Sequence, residues 1–315
     1  MCENENIRQS FVIRGKSARK IFLESNTHGA QPRPIMTAHS LTSHIEFNVS
    51  AALDEDIRDG DITALLIPAL QTASASVIAR QKALLCGTLW FEECFFRLDP
   101  NCKVHWAMPE GGIMQPNQQL CEVRGNARAL LSAERCALNF LQTLSGTATL
   151  VQRYVEAVAG TGAKIMDTRK TLPGLRIAQK HAVLIGGGHN QRIGLFDGVL
   201  IKENHIAAAG SIGLVLEQAF RITPANVPIQ IEVENLSQLF EAINAGAKLI
   251  LLDNFSLIDM RLAVAHAAGR AELEASGGLT LESVRMVAET GVNRISIGAL
   301  TKDVVAIDLS MRFAP

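Results

Sequence analysis

Short apolar runs alternate with helical stretches from residue 163 almost to the end of the chain, and this rhythm constrains the fold more than any other feature. Helical patterns separate the runs, for example at 237–245, 257–268 and 281–290. Strands that alternate with helices pair in parallel, because each helix carries the chain back across the sheet. Six strands are too few for an eight-stranded barrel, so the pattern favours a reduced barrel or an open sheet. The candidate strands are 164–167, 198–202, 229–234, 248–253, 272–275 and 294–297.

The preceding part of the chain has a different pattern. Apolar spacing predicts a helix at 45–53, then a β-rich layer over 74–124, then helical structure from 129 to 158 that is interrupted near Gly146. The candidate strands of the layer are 75–79, 103–106 and 119–123. We therefore predict a disordered leader at 1–35, an N-terminal α/β domain at 36–150, an α/β barrel at 151–302 and a C-terminal helix at 303–315 that packs back on the body.

The composition excludes several classes of protein. The 315-residue chain is 48% hydrophobic and 19% charged, which is enough apolar surface for a sizeable core and is not typical of disorder. No apolar run reaches the roughly 18 residues that a membrane span needs. The polar leader lacks the apolar centre of a signal peptide. We expect a cytoplasmic protein with no membrane partner.

Neither the cysteines nor the acidic residues are spaced like metal ligands. The six cysteines form no C-x-x-C pair and none lies beyond Cys136, so spacing does not indicate a zinc site. We expect free, mostly buried thiols in a reducing compartment. The acidic run at 54–63 has the wrong spacing for a calcium loop and is interpreted as a solvated turn.

Each candidate barrel strand ends in a polar or glycine-rich group. Because the carboxyl ends of parallel strands converge, we expect these groups to share one mouth. Residues 164–202 contain seven Lys and Arg against two acids, in a chain whose formal net charge is −1. A focused positive cleft of this kind suits a small polyanion and not a nucleic acid. The strand-end groups are Arg169 with Lys170, Lys202, Glu232, Asp253, Ser276-Gly277-Gly278 and Gly298; Arg192 follows a glycine run at 186–188.

The residue types indicate what these groups can bind. Arginine binds carboxylate or phosphate through a rigid fork, so Arg169 and Arg192 suit a planar diacid, and lysine is a point charge for phosphate. Glu232 and Asp253 would hold ribose hydroxyls or Mg²⁺. The glycine-rich strand ends expose backbone N–H groups ahead of helices, which makes a phosphate cradle. The site therefore calls for a phosphorylated sugar, a metal and a carboxylate-bearing partner.

Three functions other than binding a planar diacid together with a phosphorylated sugar remain open at this point. Lys202 could form a Schiff base, as lysines in barrel aldolases do. The barrel could bind a phosphometabolite without catalysis. The site could also belong to an enzyme of this fold that acts on a carboxylate other than a planar diacid.

Several motifs together resemble the quinolinate phosphoribosyltransferase family, also called carboxylating nicotinate-nucleotide pyrophosphorylase, a type II phosphoribosyltransferase family. The resemblance runs from about residue 45 to the end of the chain. The motifs are 134–139 (ERCALN), 168–176 (TRKTLPGLR), 186–192 (GGGHNQR), 200–205 (LIKENH), 251–254 (LLDN) and 275–278 (ASGG).

The resemblance implies a homodimer in which each subunit has a small β-rich N-terminal domain and a short barrel of six to seven parallel strands. It implies that the partner's N-terminal domain completes each mouth and contributes Arg135. The resemblance implies catalytic roles for Lys170, Lys202, Glu232 and Asp253. The resemblance also implies the substrate contacts. The two quinolinate carboxylates would be bound by Arg169, Arg192 and Lys202, with Thr168 and Lys170 in the same pocket. The ribose and Mg²⁺ of phosphoribosyl pyrophosphate would be held by Glu232 and Asp253, and its 5′-phosphate by Ser276, Gly277, Gly278 and Gly298.

One position departs from the family's pattern. The family often has His immediately before the second arginine, where this chain has Gln191, and glutamine can donate a hydrogen bond but adds no charge. The implied reaction joins phosphoribosyl to quinolinate and releases CO₂ and pyrophosphate, giving nicotinate mononucleotide for NAD biosynthesis.

Overall fold

The computed structural model of the chain describes residues 38–314. The predicted leader at 1–35 lies outside the described residues. Among those described, no helix is both long enough and apolar enough to cross a bilayer. The cytoplasmic location stays a prediction from the sequence.

Residues 38–157 contain three α-helices, one short 3₁₀-helix (Ala64–Leu66) and five strands. Their order is α1 (Ala38–Asp56), β1 (Thr72–Ala79), β2 (Ala83–Leu84), α2 (Thr88–Leu98), β3 (Lys103–Trp106), β4 (Ile113–Met114), β5 (Gln119–Asn126) and α3 (Ala127–Ala157). The Asn126 side chain caps α3 by accepting hydrogen bonds from the backbone N–H groups of Arg128 and Ala129. The three strands predicted for the β-rich layer correspond to β1, β3 and β5.

The second part alternates strands and helices. Its elements are β6 (Lys164–Met166), α4 (Arg176–Ile185), β7 (Val199–Ile201), α5 (Glu203–Ala209), α6 (Ile212–Ile222), β8 (Ile229–Val233), α7 (Leu236–Asn244), β9 (Leu249–Asp253), α8 (Leu257–Ala267), β10 (Glu272–Ser276), α9 (Val284–Ala288), β11 (Arg294–Ser296) and α10 (Ala299–Lys302). The six strands form one parallel sheet in the order β6-β11-β10-β9-β8-β7. All six predicted strands are therefore found, and the α/β fold class is confirmed.

The end of the chain is a strand and not the predicted helix. β12 (Leu309–Phe313) pairs antiparallel with β1, with Met311 opposite Val77. Leu309 and Met311 are buried while Ser310 and Arg312 are not, and this two-residue alternation is typical of a strand. The prediction of a helix at 303–315 was wrong, and the chain end completes the N-terminal sheet, whose order is β12-β1-β5-β3.

Helix α3 is continuous, whereas the sequence predicted an interruption near Gly146. A Cβ at position 146 would overlap the backbone carbonyl of Val305. The glycine lets the segment before β12 pack directly against α3, and it does not break the helix.

Helix α4 joins the two apolar cores of the molecule. Ala178 and Ala182 pack into the N-terminal core, whose largest fully buried side chain is Trp90. Val183 packs into the barrel core with Ile231. The loop before α4 carries residues 168–175, so this helix holds the segment with Arg169 and Lys170 against both parts of the molecule.

Candidate active site

The carboxyl ends of β7 and β8 bring a lysine and a glutamate together. Lys202 Nζ lies 3.1 Å from Glu232 Oε1 and 3.0 Å from Oε2. The glutamate side chain is largely buried and the lysine side chain is about half exposed, so the ammonium faces the mouth from one side. An ion-paired ammonium is a poor nucleophile, and this arrangement disfavours the Schiff-base alternative.

The next two strands end in a tight backbone junction. Asp253 lies opposite Ser276 in the β9–β10 register, and the Asn254 backbone N–H donates to the Ser276 carbonyl at 3.0 Å. Gly277 and Gly278 both have positive φ, of 112° and 55°. A Cβ at Gly277 would collide with the Asn254 side chain. Glycine is therefore required here, both for the backbone conformation and for the close approach of the neighbouring strand end.

The third group of site residues comes from the loop after β6 and the end of β11. Thr168 Oγ1 accepts the Lys170 backbone N–H at 3.0 Å, and the Lys170 carbonyl accepts the Thr301 hydroxyl at 2.8 Å. Gly298 faces the same loop, because a Cβ there would lie 2.9 Å from Lys170 Cδ and 3.7 Å from Thr168 Oγ1. The Lys170 side chain thus lies across Gly298, and Lys170 is exposed.

Two arginines of the predicted set lie near each other. Arg169 Nε is buried and has no hydrogen-bond partner among the described residues. Arg192 donates from Nη1 to the Gly198 carbonyl at 3.1 Å. Desolvation, followed by the charge of Arg169, lowers the pKa of Arg192. An anion bound near both guanidinium groups would relieve this repulsion and satisfy the unpaired N–H.

Arg176 supports this pair, although the sequence pattern indicated no role for it. Its Nη2 donates to the Arg169 carbonyl at 3.3 Å and its Nη1 to the Ile193 carbonyl at 3.1 Å. It thereby ties the segment of the first arginine to the segment of the second. The only sequence signal for it was its place at the end of the cation-rich run.

A buried polar network underlies the same region and was also missed. Lys180 and Asp167 form an ion pair of 2.6 Å in which both side chains are fully buried. Lys180 Nζ also donates to the Gln191 carbonyl at 2.9 Å, and the Gln191 backbone N–H donates to Asp167 at 2.8 Å. The pair fixes the backbone immediately before Arg192. The sequence signal for Lys180 was its position between the apolar residues Ala178 and Ala182 of α4.

The Gln191 side chain is committed to contacts within the protein. Its amide nitrogen donates to Gln230 Oε1 at 2.7 Å and to Glu274 Oε1 at 3.0 Å. Its carbonyl oxygen accepts the Arg192 backbone N–H at 3.1 Å. Both amide hydrogens are therefore used, and Gln191 positions Arg192 instead of offering a free donor to a ligand.

Not every predicted site residue lies at the strand ends. Arg192 and Gln191 line a cavity of about 540 Å³ together with Val199, Leu249 and Arg294, which come from the first positions of their strands. No hydrogen bond or ion pair between described residues joins Arg192 to Lys202. The set predicted for a dicarboxylate is thus only partly assembled within one chain.

Arg135 lies on an exposed position of α3, away from the strand ends. It lines a second cavity, of about 400 Å³, with residues of α1 and with Pro173, Gly174 and Leu175 of the loop before α4. Asn48 of α1 donates to the Gly174 carbonyl at 3.0 Å, which holds this loop against α1.

Comparison with known proteins gives consistent matches over most of the chain. Two family models match: the N-terminal domain of quinolinate phosphoribosyl transferase over residues 61–145, and its C-terminal domain over residues 147–312. A probable carboxylating nicotinate-nucleotide pyrophosphorylase of Bacillus subtilis is 42% identical over 82% of this chain and 89% of its own length. A carboxylating nicotinate-nucleotide pyrophosphorylase of Mycobacterium leprae is 42% identical over 84% of this chain and 95% of its own length.

Solved structures agree with these matches. The nicotinate-nucleotide pyrophosphorylase of Francisella tularensis superposes with a TM-score of 0.84 at 43% identity, covering 86% of this chain and 96% of its own. The Ehrlichia chaffeensis protein of the same name gives a TM-score of 0.80 at 38% identity, covering 84% of this chain and 97% of its own.

Proposed function

Because this chain belongs to the quinolinate phosphoribosyltransferase family, we propose how its own residues divide the work of the family's reaction. The enzyme transfers phosphoribosyl from phosphoribosyl pyrophosphate to quinolinate with loss of CO₂, and the products are nicotinate mononucleotide and pyrophosphate. This is a step of NAD biosynthesis. The observation that carries the proposal is the unpaired, buried Arg169 Nε beside Arg192, because a buried guanidinium N–H without a partner calls for an anion.

The quinolinate carboxylates bind to Arg169, Arg192 and Lys202. The first two supply planar forks and the third supplies a point charge. Lys202 reaches the substrate from its ion pair with Glu232, and Arg176 and Gln191 hold the two arginine segments in place. A dicarboxylate neutralises this cluster more fully than a monocarboxylate, and this difference is the basis of specificity.

Phosphoribosyl pyrophosphate occupies the other strand ends. Its 5′-phosphate meets the backbone N–H groups of the segment 276–278 and of Gly298. Lys170 and Thr168 lie beside Gly298 and complete the pocket. The positive φ values at Gly277 and Gly278 support an anion-binding role, since turns of this kind point successive N–H groups to one side.

Glu232 and Asp253 would hold the ribose hydroxyls and Mg²⁺. Carboxylate oxygens suit a hard cation, and Asp253 Oδ2 accepts one hydrogen bond, of 2.9 Å from Asn254. Glu232 is engaged by Lys202 through both oxygens, so Asp253 offers the freer carboxylate. When bound, the ion neutralises charge on the departing pyrophosphate.

The chemistry follows from position and charge. The quinolinate nitrogen attacks C1 of the phosphoribosyl group, and pyrophosphate leaves. The alkylated ring nitrogen is then cationic, and it stabilises the electron pair left on the adjacent carbon when CO₂ departs. That carbon then takes up a proton from water, which gives nicotinate mononucleotide. Neither step needs a general base, so the residues contribute by orienting both substrates and by balancing charge.

The active unit that we propose is a homodimer. The segment 61–71 packs beside the first turns of α3, where Ser132 Oγ donates to Asp61 at 2.8 Å and Arg128 Nε donates to the Ile67 carbonyl at 2.6 Å. Leu131, one turn before Arg135 on α3, is exposed beside this segment. Four large apolar side chains of the segment are 64–93% exposed: Ile62, Leu65, Leu66 and Leu70. Exposed apolar side chains grouped in one segment mark an interface, and in the dimer that we propose Arg135 reaches the partner's mouth.

A pyrophosphate-release assay tests the reaction. With phosphoribosyl pyrophosphate and Mg²⁺, quinolinate should release pyrophosphate and CO₂ in equal amounts, and nicotinate should release neither. A matched pair of variants adds a check on the site. Glu232→Gln should lower the rate, while Glu234→Gln, two residues on and exposed, should not. Equal use of both acids would overturn the dicarboxylate assignment.

Complementation tests the shared site. Arg135→Ala and Arg169→Ala proteins should each have strongly reduced activity, and mixing them should form hybrid dimers in which one of the two related sites has both arginines. Up to about half of a wild-type dimer's activity per hybrid should return. If verified subunit exchange restores nothing, Arg135 acts within its own chain, next to the loop at 173–175.

A further inference from the structure

Three potential metal ligands from separate parts of the chain meet between the N-terminal domain and helix α4. Cys86 follows β2, Glu110 lies in the loop between β3 and β4, and His181 is on α4. Their ligand atoms all lie within 4.8 Å of one another, and this is the one such cluster among residues 38–314. None of the three belongs to the site proposed for phosphoribosyl transfer.

The cluster is buried and already held in place. His181 Nε2 lies 3.4 Å from Glu110 Oε1, with side-chain exposures of 7% and 8%, and Cys86 is fully buried. Glu110 Oε1 also accepts the Gly87 backbone N–H at 2.7 Å. The His181 ring packs on Trp90 with a centroid distance of 5.5 Å. These contacts orient the ligand atoms before any ion arrives, as the supporting contacts of metal sites do.

We propose that Cys86, Glu110 and His181 form a zinc site that fastens the N-terminal domain to helix α4. One thiolate, one imidazole and one carboxylate are a ligand set that zinc accepts, with water in the fourth tetrahedral position. The sulfur selects zinc over Mg²⁺, which prefers oxygen ligands. When the sulfur bonds the ion, the thiol proton passes to solvent, and the imidazole binds in its neutral form.

Metal binding to the full-length, tag-free protein tests the proposal. After incubation with zinc and desalting, the wild-type protein should retain one equivalent per chain and melt at a higher temperature than the chelator-treated protein. Zinc X-ray absorption should show one sulfur ligand at about 2.3 Å and the remaining ligands at about 2.0–2.2 Å. Cobalt(II) should give a thiolate charge-transfer band.

Variants identify the ligands. Cys86→Ser and His181→Phe should each lower zinc affinity by more than the roughly 10- to 100-fold that changes outside the ligand shell cause. Phenylalanine keeps the ring that packs on Trp90. Cys121→Ser is the matched control, because Cys121 is equally buried but lies outside the cluster, and it should bind zinc as the wild type does.

Two results would overturn the assignment. One is a folded wild-type protein that retains no zinc after desalting. The other is bound zinc whose absorption spectrum contains no sulfur ligand. Because both measurements use the wild-type protein, they decide the question even if the Cys86 and His181 variants fail to fold.

Discussion

Replacing Gly298 with alanine should separate stability from catalysis. Gly298 has φ −69° and ψ −27°, which any residue can adopt. The new Cβ would lie 2.9 Å from Lys170 Cδ, whereas carbon atoms pack at about 3.5–4.0 Å. The lysine chain must therefore move by about 0.6–1.1 Å. Since Cδ belongs to a flexible side chain, the Lys170 side chain will move and the backbone will keep its position.

The two effects have different sizes. Alanine in a compatible conformation gains about 0.4–1 kcal/mol by restricting the unfolded chain, and alanine is a poorer helix N-cap than glycine. The free energy of unfolding should therefore change by less than about 1 kcal/mol. Loss of a hydrogen bond from the Lys170 ammonium to a substrate anion removes about 1.5–3 kcal/mol. This corresponds to a fall in kcat/KM of roughly 10- to 150-fold.

The assay combines thermal unfolding with pyrophosphate-release kinetics. Gly298→Ala and Lys170→Ala should lower kcat/KM by similar factors, and the double variant should lose little more, because both changes remove the same contact. Gly213→Ala is the control. Gly213 lies in the first turn of α6. Apart from the helix backbone and the adjacent residues, the atom nearest to the new Cβ is Ser211 Oγ, at 4.0 Å. This variant should therefore keep full activity.

Two outcomes would refute this reasoning. Full activity in Gly298→Ala would show that the observed position of Lys170 does not matter for turnover. Losses in the double variant that equal the sum of the single losses would show that Gly298 and Lys170 act independently.

Further expected results concern the arginines, the buried pair and the exposed apolar segment. Arg169→Ala should weaken quinolinate use by about 2–5 kcal/mol, with little change in the KM for phosphoribosyl pyrophosphate, because it removes a desolvated charge pair; unchanged quinolinate kinetics would remove it from the site. Lys180→Met should lower the free energy of unfolding by about 3–5 kcal/mol, since Asp167 is left buried without its cation. Denaturant titrations measure this loss, and adding Asp167→Asn should recover part of it. Leu66→Asp should shift the protein toward monomers in analytical ultracentrifugation, because it places a charge in the exposed apolar segment at 62–70; an unchanged sedimentation coefficient would place the dimer contact elsewhere.

The sequence by itself determined the class of the fold and the positions of its six parallel strands. Periodicity is a local property, and each barrel strand that it predicted is present. The groups at the strand ends followed from the same pattern, because parallel strands deliver their carboxyl ends to one edge. The motifs at 168–176 and 200–205 also pointed to the family before any contact was known.

Local pattern failed where a distant segment decides the structure. The sequence predicted a last helix at 303–315, but residues 309–313 form a strand because the edge of β1 offers them hydrogen-bond partners. Gly146 looked like a helix break, but it is a point of close approach to Val305.

Only the tertiary structure decided which charged and reactive groups meet. The Lys202–Glu232 pair joins two neighbouring strand ends, whereas Asp167–Lys180 joins the loop after β6 to a helix. The spacing of the cysteines indicated no zinc site, yet Cys86 lies against Glu110 and His181. Hydrogen bonds and ion pairs act over a few ångströms in space whatever the separation along the chain, so packing determines them and local sequence does not.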